Sequence, residues 1–351
     1  MPKVINVGVI GLGMMGSTHL DVYNKLEGVK IFAVADLDPA KLSGEEKATG
    51  NIEGQAEGGV DLSAVKKYKD GYDLINDPEI DLVDVCVWTH LHKDMAKAVL
   101  DAGKHLLLEK PLARTFEEAK EVVEAAKNSK QVSMSAMCIR FWPGWKWLKE
   151  TIDAKTYGSL LSVNFTRLAS HPGGDFYKSG EQCGGALLDL HVHDTDFVNF
   201  CFGMPDAVFS RGYSKISGET DHVITQYIYN DDSKPRQVTA EGGWAMSEGY
   251  DFRMLYTANF ENATVTYSFD GEDQITVFQE GQEEPEKITV ESGMGYEHEI
   301  RHLVKAIQEG QPADIEAFEQ AANSIAIVEA EKESIRTGNA VSLSFKEGSA
   351  S

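Results

Sequence analysis

Two stretches of this sequence carry side chains whose types and spacing suit proton transfer. Residues 183–197 read CGGALLDLHVHDTDF, two histidines one residue apart among three aspartates. The second, GKHLLLEKPLA (103–113), sets Glu109-Lys110-Pro111 at the end of an apolar run. Gly184-Gly185 precedes the first stretch and Gly203-Met204-Pro205 ends it, which predicts one helix over 186–202. On that helix Asp189, His193 and Asp196 fall at i, i+4 and i+7 and share a face. His191 lies about 200° from Asp189, at roughly 100° per residue. It therefore reads as packing or a polar interface contact. An HxH chelate works on a strand but not on a helix, and zinc wants three or four protein ligands. With no Cys or His pair nearby, no metal is expected.

A third stretch suits binding. VGVIGLGMMGSTHL (7–20) contains G-x-G-x-x-G at Gly11, Gly13 and Gly16. Gly11 would make the tight turn, Gly13 would admit a pyrophosphate, and Gly16 would let helix and strand pack closely. A helix starting at Met14 and Met15 would offer its first N–H groups and positive dipole end to phosphates. Asp36 follows Gly16 by twenty residues, at the end of the next apolar run, where it can accept from ribose hydroxyls. Its charge would repel a 2′-phosphate and no Arg follows directly, so NAD is expected, with NADP less favoured.

These residues need elements to hold them. VINVGVI (4–10), VKIFAVAD (29–36), DLVDVCVW (81–88), HLLLE (105–109) and QVSMSAM (131–137) read as strands. HKDMAKAVLDAG (92–103) and TFEEAKEVVEAAKN (115–128) read as helices between them, the second with Thr115 as N-cap and Glu118 as capping-box partner. The alternation predicts parallel βαβ units, hence a doubly wound α/β domain over 1–137. In such a sheet ligands sit outside the carboxyl ends of the strands, which directs Lys110 toward a cofactor cleft; an ordinary charged turn is the plainer alternative. The polar, Gly-rich stretch 41–70 reads as a surface insertion with one short helix.

From 138 to 351 the pattern changes. Arg140, Trp142, Trp145 and Trp147 mark an aromatic helix, and six alternating stretches between 207 and 290 predict an antiparallel sheet. Two amphipathic helices close the chain, the last of which is expected to pack back on the first domain. Asp175 and Tyr177, in the loop before the 186–202 helix, are substrate candidates, as is Asp196; Arg140 and Tyr296 are weaker ones.

Composition sets outer bounds. The 351 residues suffice for two domains, and 42% hydrophobic with 25% charged residues is a globular composition. A net charge of −23 argues against nucleic acid or an anionic membrane as partner. Four scattered cysteines without a CxxC pair read as reduced thiols. With no long apolar run and no signal-like segment, a cytoplasmic protein is the expectation.

Taken together, VIGLGMMGSTH, VADLDP, HKDMAKAVLDAGKHLLLEKPLA, GGALLDLHVHDTDF and RTGNAV resemble the Gfo/Idh/MocA oxidoreductases. The resemblance covers nearly the whole chain. It implies a Rossmann domain followed by an α+β domain with a large open, mostly antiparallel sheet, often used for oligomerisation into dimers or tetramers. It implies a catalytic Lys110 whose bond to Pro111 is often cis. The family's Thr-Pro beside the nicotinamide is Thr89-His90 here, with His92 at the family's usual histidine, so Thr89, His92 and Glu109 join the expected cofactor contacts. Its Asp-x3-His pattern falls on Asp189 and His193. Chemically, a histidine titrating near neutrality suits proton removal from an alcohol, and a lysine ammonium suits a developing alkoxide. His193 is thus the expected base, Lys110 its electrostatic partner and Asp189 the orienting residue. The leading expectation is an NAD-dependent dehydrogenase acting on a CH–OH group of a sugar, polyol or cyclitol. Two other classes are a redox-neutral enzyme that retains NAD, as in glycoside cleavage or epimerisation, and a non-catalytic dinucleotide-binding regulator.

Overall fold

The computed structural model describes residues 4–44, 59–269 and 272–343. The chain forms two compact units, Met1–Trp142 with Gly293–Ala322, and Pro143–Ser292 with Asn323–Ser351. Among the described residues no helix is long and apolar enough to cross a membrane.

In the first unit six strands form one wholly parallel sheet: β1 (Ile5–Ile10), β2 (Val29–Ala35), β3 (Lys66–Tyr68), β4 (Leu82–Val85), β5 (His105–Glu109) and β6 (Ser133–Ala136). Their order, β3-β2-β1-β4-β5-β6, is that of a doubly wound nucleotide-binding sheet, and it reverses between β1 and β4. The intervening helices are α1 (Met14–Tyr23), α2 (Pro39–Ser43), α3 (Gly71–Ile75), α4 (His92–Asp101) and α5 (Phe116–Asn128). Thr115 caps α5 as its sequence position predicts, its hydroxyl accepting from the Glu118 N–H at 3.2 Å. Strands buried on both faces explain the near-continuous apolar runs. Asp84, in the middle of β4, breaks that rule as a fully buried acid.

The stretch 41–70 differs from its reading as an insertion. Residues 45–58 lie outside the described residues, but 41–43 belong to α2 and Lys66–Tyr68 form the edge strand β3. KKY is too short and too polar to show a strand period, so the sequence hid it.

The second unit begins with α6 (Pro143–Asp153) and β7 (Leu160–Ser170). Four short helices follow: α7 (Gly174–Lys178), α8 (Gly180–Cys183), α9 (Gly185–Asp189) and α10 (Val192–Phe202). The remaining strands are β8 (Ala207–Tyr213), β9 (His222–Ile228), β10 (Gln237–Met246), β11 (Arg253–Phe260), β12 (Ala263–Phe269), β13 (Asp273–Gln279), β14 (Glu286–Ile288) and β15 (Val341–Ser342). They make a nine-stranded sheet in the order β14-β13-β12-β11-β7-β10-β9-β8-β15. Every pairing is antiparallel except β7 with β10 at its centre. The helices cover one face, which buries Phe165, Tyr227, Tyr256 and Val277.

Helix α11 (Gly295–Gln308) returns to the first unit, where Ile300, Leu303 and Val304 join the core that holds Leu20 of α1. The long α12 (Ile315–Thr337) contributes residues to Ala322 to the first unit and from Asn323 onward to the second.

Candidate functional site

The three fingerprint glycines serve three different ends. Gly11 has φ +93°, and a Cβ there would lie 2.3 Å from the Cys86 carbonyl oxygen. At Gly16 a Cβ would come within 1.8 Å of the Gly11 carbonyl oxygen. Both positions are therefore dictated by packing at the β1–β4 reversal. Gly13 is not, since a Cβ there meets nothing within 4 Å. Its bareness leaves space beside the first turn of α1, which begins at Met14 and whose N-cap residue is Gly13 itself. That combination fits a pyrophosphate. Asp36 stands at the end of β2, its Oδ2 accepting from the Leu12 N–H at 2.7 Å and its Oδ1 from the Asp38 N–H at 2.8 Å. These bonds orient the carboxylate beside the glycine turn, where a ribose would lie.

At the end of β5 the chain turns through a cis Lys110–Pro111 bond. Glu109, Pro111, Leu112 and Ala113 are buried, and Lys110 alone in the turn is half-exposed. The turn is braced on both sides. His92, on α4, places Nδ1 2.8 Å from the Pro111 carbonyl oxygen and Nε2 2.9 Å from that of Val87. Burial holds this imidazole below the ordinary histidine pKa, against the opposing pull of those two carbonyls. Thr89 is buried too, in the short 3-10 turn that precedes α4, whereas His90 beside it is exposed. His92 thus braces the turn from behind, and its buried ring has no surface to offer a cofactor.

On the other side of the turn lies a buried polar cluster that sequence reasoning missed. Glu109 accepts the Lys110 backbone N–H through Oε2 at 2.9 Å, and its Oε1 lies 3.3 Å from His19 Nε2. His19 Nδ1 in turn lies 2.9 Å from Asp84 Oδ2, which also accepts from the Tyr23 hydroxyl at 3.0 Å. Burial alone would lower the His19 pKa, but Asp84 and Cys86 together push it well above the ordinary value. Burial also raises the Cys86 thiol, which donates to Asp84 Oδ1 at 3.2 Å. His19, Asp84 and Cys86 bring three potential ligand atoms within 4.8 Å of one another. A thiol kept protonated and already donating is poorly suited to a metal. The sequence did carry a signal: an acidic residue inside the apolar run of β4.

The second unit holds the other proton-handling group. The helix expected over 186–202 is divided into α9 and α10. At the junction the His191 N–H donates to the Ala186 carbonyl at 2.8 Å, one residue further back than an α-helical bond. The extra residue in that turn shifts the simple i, i+4 geometry between Asp189 and His193, both of which are half-buried. Asp194, Thr195 and Asp196 are buried around His193. Arg167 grips Asp194 through Nε at 2.9 Å and Nη2 at 3.2 Å. Thr195 donates to Glu331 at 3.1 Å and meets the Tyr227 hydroxyl at 2.9 Å. His191 is fully buried 3.5 Å from Glu331, and Gly242 makes room for it, since a Cβ there would lie 2.5 Å from its Nδ1. Two inward anchors therefore fix α10 immediately beside His193.

Two expected substrate residues, Asp196 and Arg140, are buried in structural contacts. Asp196 is 1% exposed and accepts from the Ser324 hydroxyl at 2.9 Å, a bond that ties α10 to α12 instead of meeting a sugar. Arg140 is buried and reaches the Ala317 carbonyl and Gln320 at 3.3 and 3.4 Å, holding the start of α12. Tyr296 packs edge-on against Trp142 with centroids 5.7 Å apart. Asp175 is fully exposed and pairs with Lys178 at 3.3 Å. Tyr177 is half-buried, edge-on to Trp244 at 5.5 Å. Among these five, Tyr296 and Tyr177 are half-buried, and Asp175, which shares α7 with Tyr177, is the exposed one.

Residues 5–137 match the family model described as "Oxidoreductase family, NAD-binding Rossmann fold", and residues 145–271 match "GFO/IDH/MocA C-terminal domain". The chain belongs to the Gfo/Idh/MocA family. A myo-inositol 2-dehydrogenase of Thermotoga maritima is 28% identical over a stretch covering 59% of this chain and 58% of that protein. For an inositol 2-dehydrogenase of Salmonella paratyphi B the identity is 34%, covering 56% of this chain and 54% of that protein. The chain thus spans little more than half the length of these relatives. The fold extends further. Levoglucosan dehydrogenase in complex with NADH and levoglucosan superposes with a TM-score of 0.83 at 22% identity, over 97% of this chain and 100% of that one.

Proposed function

We propose that this member of the family oxidises a secondary alcohol of a cyclitol or sugar, with NAD as the hydride acceptor. The observation that carries the reading is a repeated pattern of display. Lys110 is the half-exposed residue of an otherwise buried turn, and His193 is half-exposed beside three buried neighbours on α10. A side chain presented from so constrained a backbone is oriented for work. Inositol and levoglucosan dehydrogenases among the relatives point to the substrate class.

In this reading Gly11, Gly13, Gly16 and the start of α1 receive the pyrophosphate, and Asp36 accepts from the adenosine ribose. When bound, NAD supplies the acceptor for hydride from the carbinol carbon. His193 takes the hydroxyl proton, and the Lys110 ammonium stabilises negative charge building on the same oxygen. Asp189 holds the imidazole or a neighbouring hydroxyl. Asp175 and Tyr177, neither of them buried, suit hydroxyl recognition from α7.

The test is NADH formation across myo-inositol, scyllo-inositol, levoglucosan and common hexoses. Net NADH with at least one of them is expected. Product without net NADH would replace the reading with redox-neutral chemistry, and cofactor binding with no product would make the chain a sensor. His193→Ala and Lys110→Met should each abolish most turnover.

A further inference from the structure

We propose that His19 is a positioning residue for this reaction, joining Asp84 to Glu109 and through Glu109 setting the backbone and side chain of Lys110. The proposal rests on the reading of Lys110 as a catalytic group. His19 lies on the second turn of α1 and is fully buried, so it touches neither substrate nor solvent. Its two ring nitrogens face carboxylates on two adjacent strands, Asp84 of β4 at 2.9 Å and Glu109 of β5 at 3.3 Å. The Glu109 contact is oblique, an ion-pair approach more than an aligned hydrogen bond. The other oxygen of Glu109 takes the Lys110 N–H at 2.9 Å. One continuous path therefore runs from the helix whose N-terminus suits the pyrophosphate to the turn that displays Lys110.

The groups around His19 show why it cannot be neutral filler. From α1 comes the Tyr23 hydroxyl, from β4 Asp84, from just past its end Cys86, from β5 Glu109, and from α11 the fully buried Glu299. Burial, opposed by His19 but reinforced by Glu109 and Asp84, pushes Glu299 well above the usual carboxyl range, so it is held as the acid. That leaves two carboxylates with one imidazole between them. A cation suits both, donating from Nδ1 to Asp84 and pairing by charge with Glu109, which a neutral imidazole cannot do. Packing alone would not require this arrangement, since apolar replacements of buried ionic groups are often neutral or stabilising. What the cluster adds is direction: it fixes which way Glu109 points. Without His19, nothing holds the far oxygen of Glu109 toward β4, and its side chain is free to rotate. That rotation loosens the hold on Lys110.

The test compares His19→Gln, Glu109→Gln and the double variant with wild type. Turnover is followed on the fastest of myo-inositol, scyllo-inositol and levoglucosan, and NADH affinity by fluorescence titration. A third readout, independent of turnover, is the site-resolved rate of reductive methylation of Lys110 in cofactor-free protein, by mass spectrometry. His19→Gln should lower kcat roughly 10- to 100-fold, the scale of a misplaced catalytic group, with NADH affinity changed by no more than about threefold. Its Lys110 methylation rate should shift by at least about threefold while that of Lys97 stays constant. The double variant should be no worse than Glu109→Gln, because both act on one path. An unchanged Lys110 rate, or additive losses of kcat, overturns the proposal. Should His19→Gln not fold, Glu109→Gln alone decides: it must shift the Lys110 rate. If Lys110→Met keeps its turnover, the catalytic reading fails, and the methylation rates still judge the positioning claim separately.

Discussion

Arg167 and Asp194 form a two-pronged ion pair, buried on both sides, directly behind the backbone that carries His193. The guanidinium also lies 5.3 Å from the Trp145 ring centroid. Removing one partner leaves the other charged and without its counter-ion inside the core, which costs about 3–5 kcal/mol. Asp194→Ala should therefore lower the free energy of urea unfolding by that order. The paired replacement Arg167→Met/Asp194→Leu should recover much of it. If it folds well but turns over poorly, the pair's role is to aim α10 more than to stabilise it.

The glycines permit a sharper separation. Alanine at Gly11 or Gly16 must drive a methyl into backbone carbonyls, so both variants should lose several degrees of Tm or fail to fold. Alanine at Gly13 meets no protein atom within 4 Å. Gly13→Ala should keep its Tm within about 2 °C, the scale of a change under 1 kcal/mol, and yet weaken NADH binding markedly. Equal binding by Gly13→Ala and wild type in a fluorescence titration would remove the pyrophosphate from that turn.

Much of this was legible in the sequence, for identifiable reasons. The β1–α1–β2 unit announced itself because strand, glycine turn and carboxylate occur at fixed spacings. The alternating stretches after residue 207 became strands because one face of their sheet is buried and the other is not. What could not be read is whatever depends on partners distant in sequence. Asp196 and Arg140 looked like binding groups because polar residues near a site usually are; Ser324, Ala317 and Gln320, more than a hundred residues away, make them structural. The break between α9 and α10 was hidden because HVH has no glycine or proline to mark it. His19 was overlooked since a histidine three residues past a glycine fingerprint looks like a surface residue until Asp84 and Glu109 are placed beside it.

Asp221 predicts the response to acid. This fully buried carboxylate accepts from the N–H groups of Lys215, Ile216 and Ser217, the Ser217 hydroxyl and the Trp244 indole. Burial would raise its pKa, but these donors outweigh it and bring it to about 2. A folded-state pKa below the unfolded one means stabilisation present above the unfolded value and lost as pH falls through the folded one. The second unit should thus lose about 2 kcal/mol between pH 4 and pH 2 from this group alone. Asp221→Asn should be less stable at neutral pH and show a flatter acid limb in chemical denaturation. A wild-type acid limb unchanged by the substitution would place the acid sensitivity elsewhere.

Asp36 predicts cofactor choice. Its carboxylate is pinned by Leu12 and Asp38 N–H groups and cannot swing away from a 2′-phosphate without breaking them. NAD should bind at least about tenfold more tightly than NADP, which corresponds to roughly 1.4 kcal/mol of repulsion and lost hydrogen bonding. Asp36→Asn keeps an acceptor but removes the charge, so it should narrow the ratio chiefly by improving NADP. Tighter NADP binding by the wild-type protein in a direct titration would reverse the assignment.

The open face of the nine-stranded sheet bears on assembly. Phe209, Tyr213 and Ile224 are large apolar or aromatic side chains exposed on one side of the paired strands β8 and β9, at positions that alternate with buried ones. Such a patch on a sheet face is unusual for a monomer and suits a self-complementary contact with a second copy. We propose a homo-oligomer built through this face, as the family resemblance implies. Light scattering after size exclusion should give a mass at least twice the 38.6 kDa of one chain. Ile224→Lys combined with Phe209→Glu places charges on the outward side of β8 and β9. The double variant should shift to monomer with its secondary structure intact. A wild-type protein that is monomeric at tens of micromolar, or a variant that keeps the wild-type mass, would show that this face stays open.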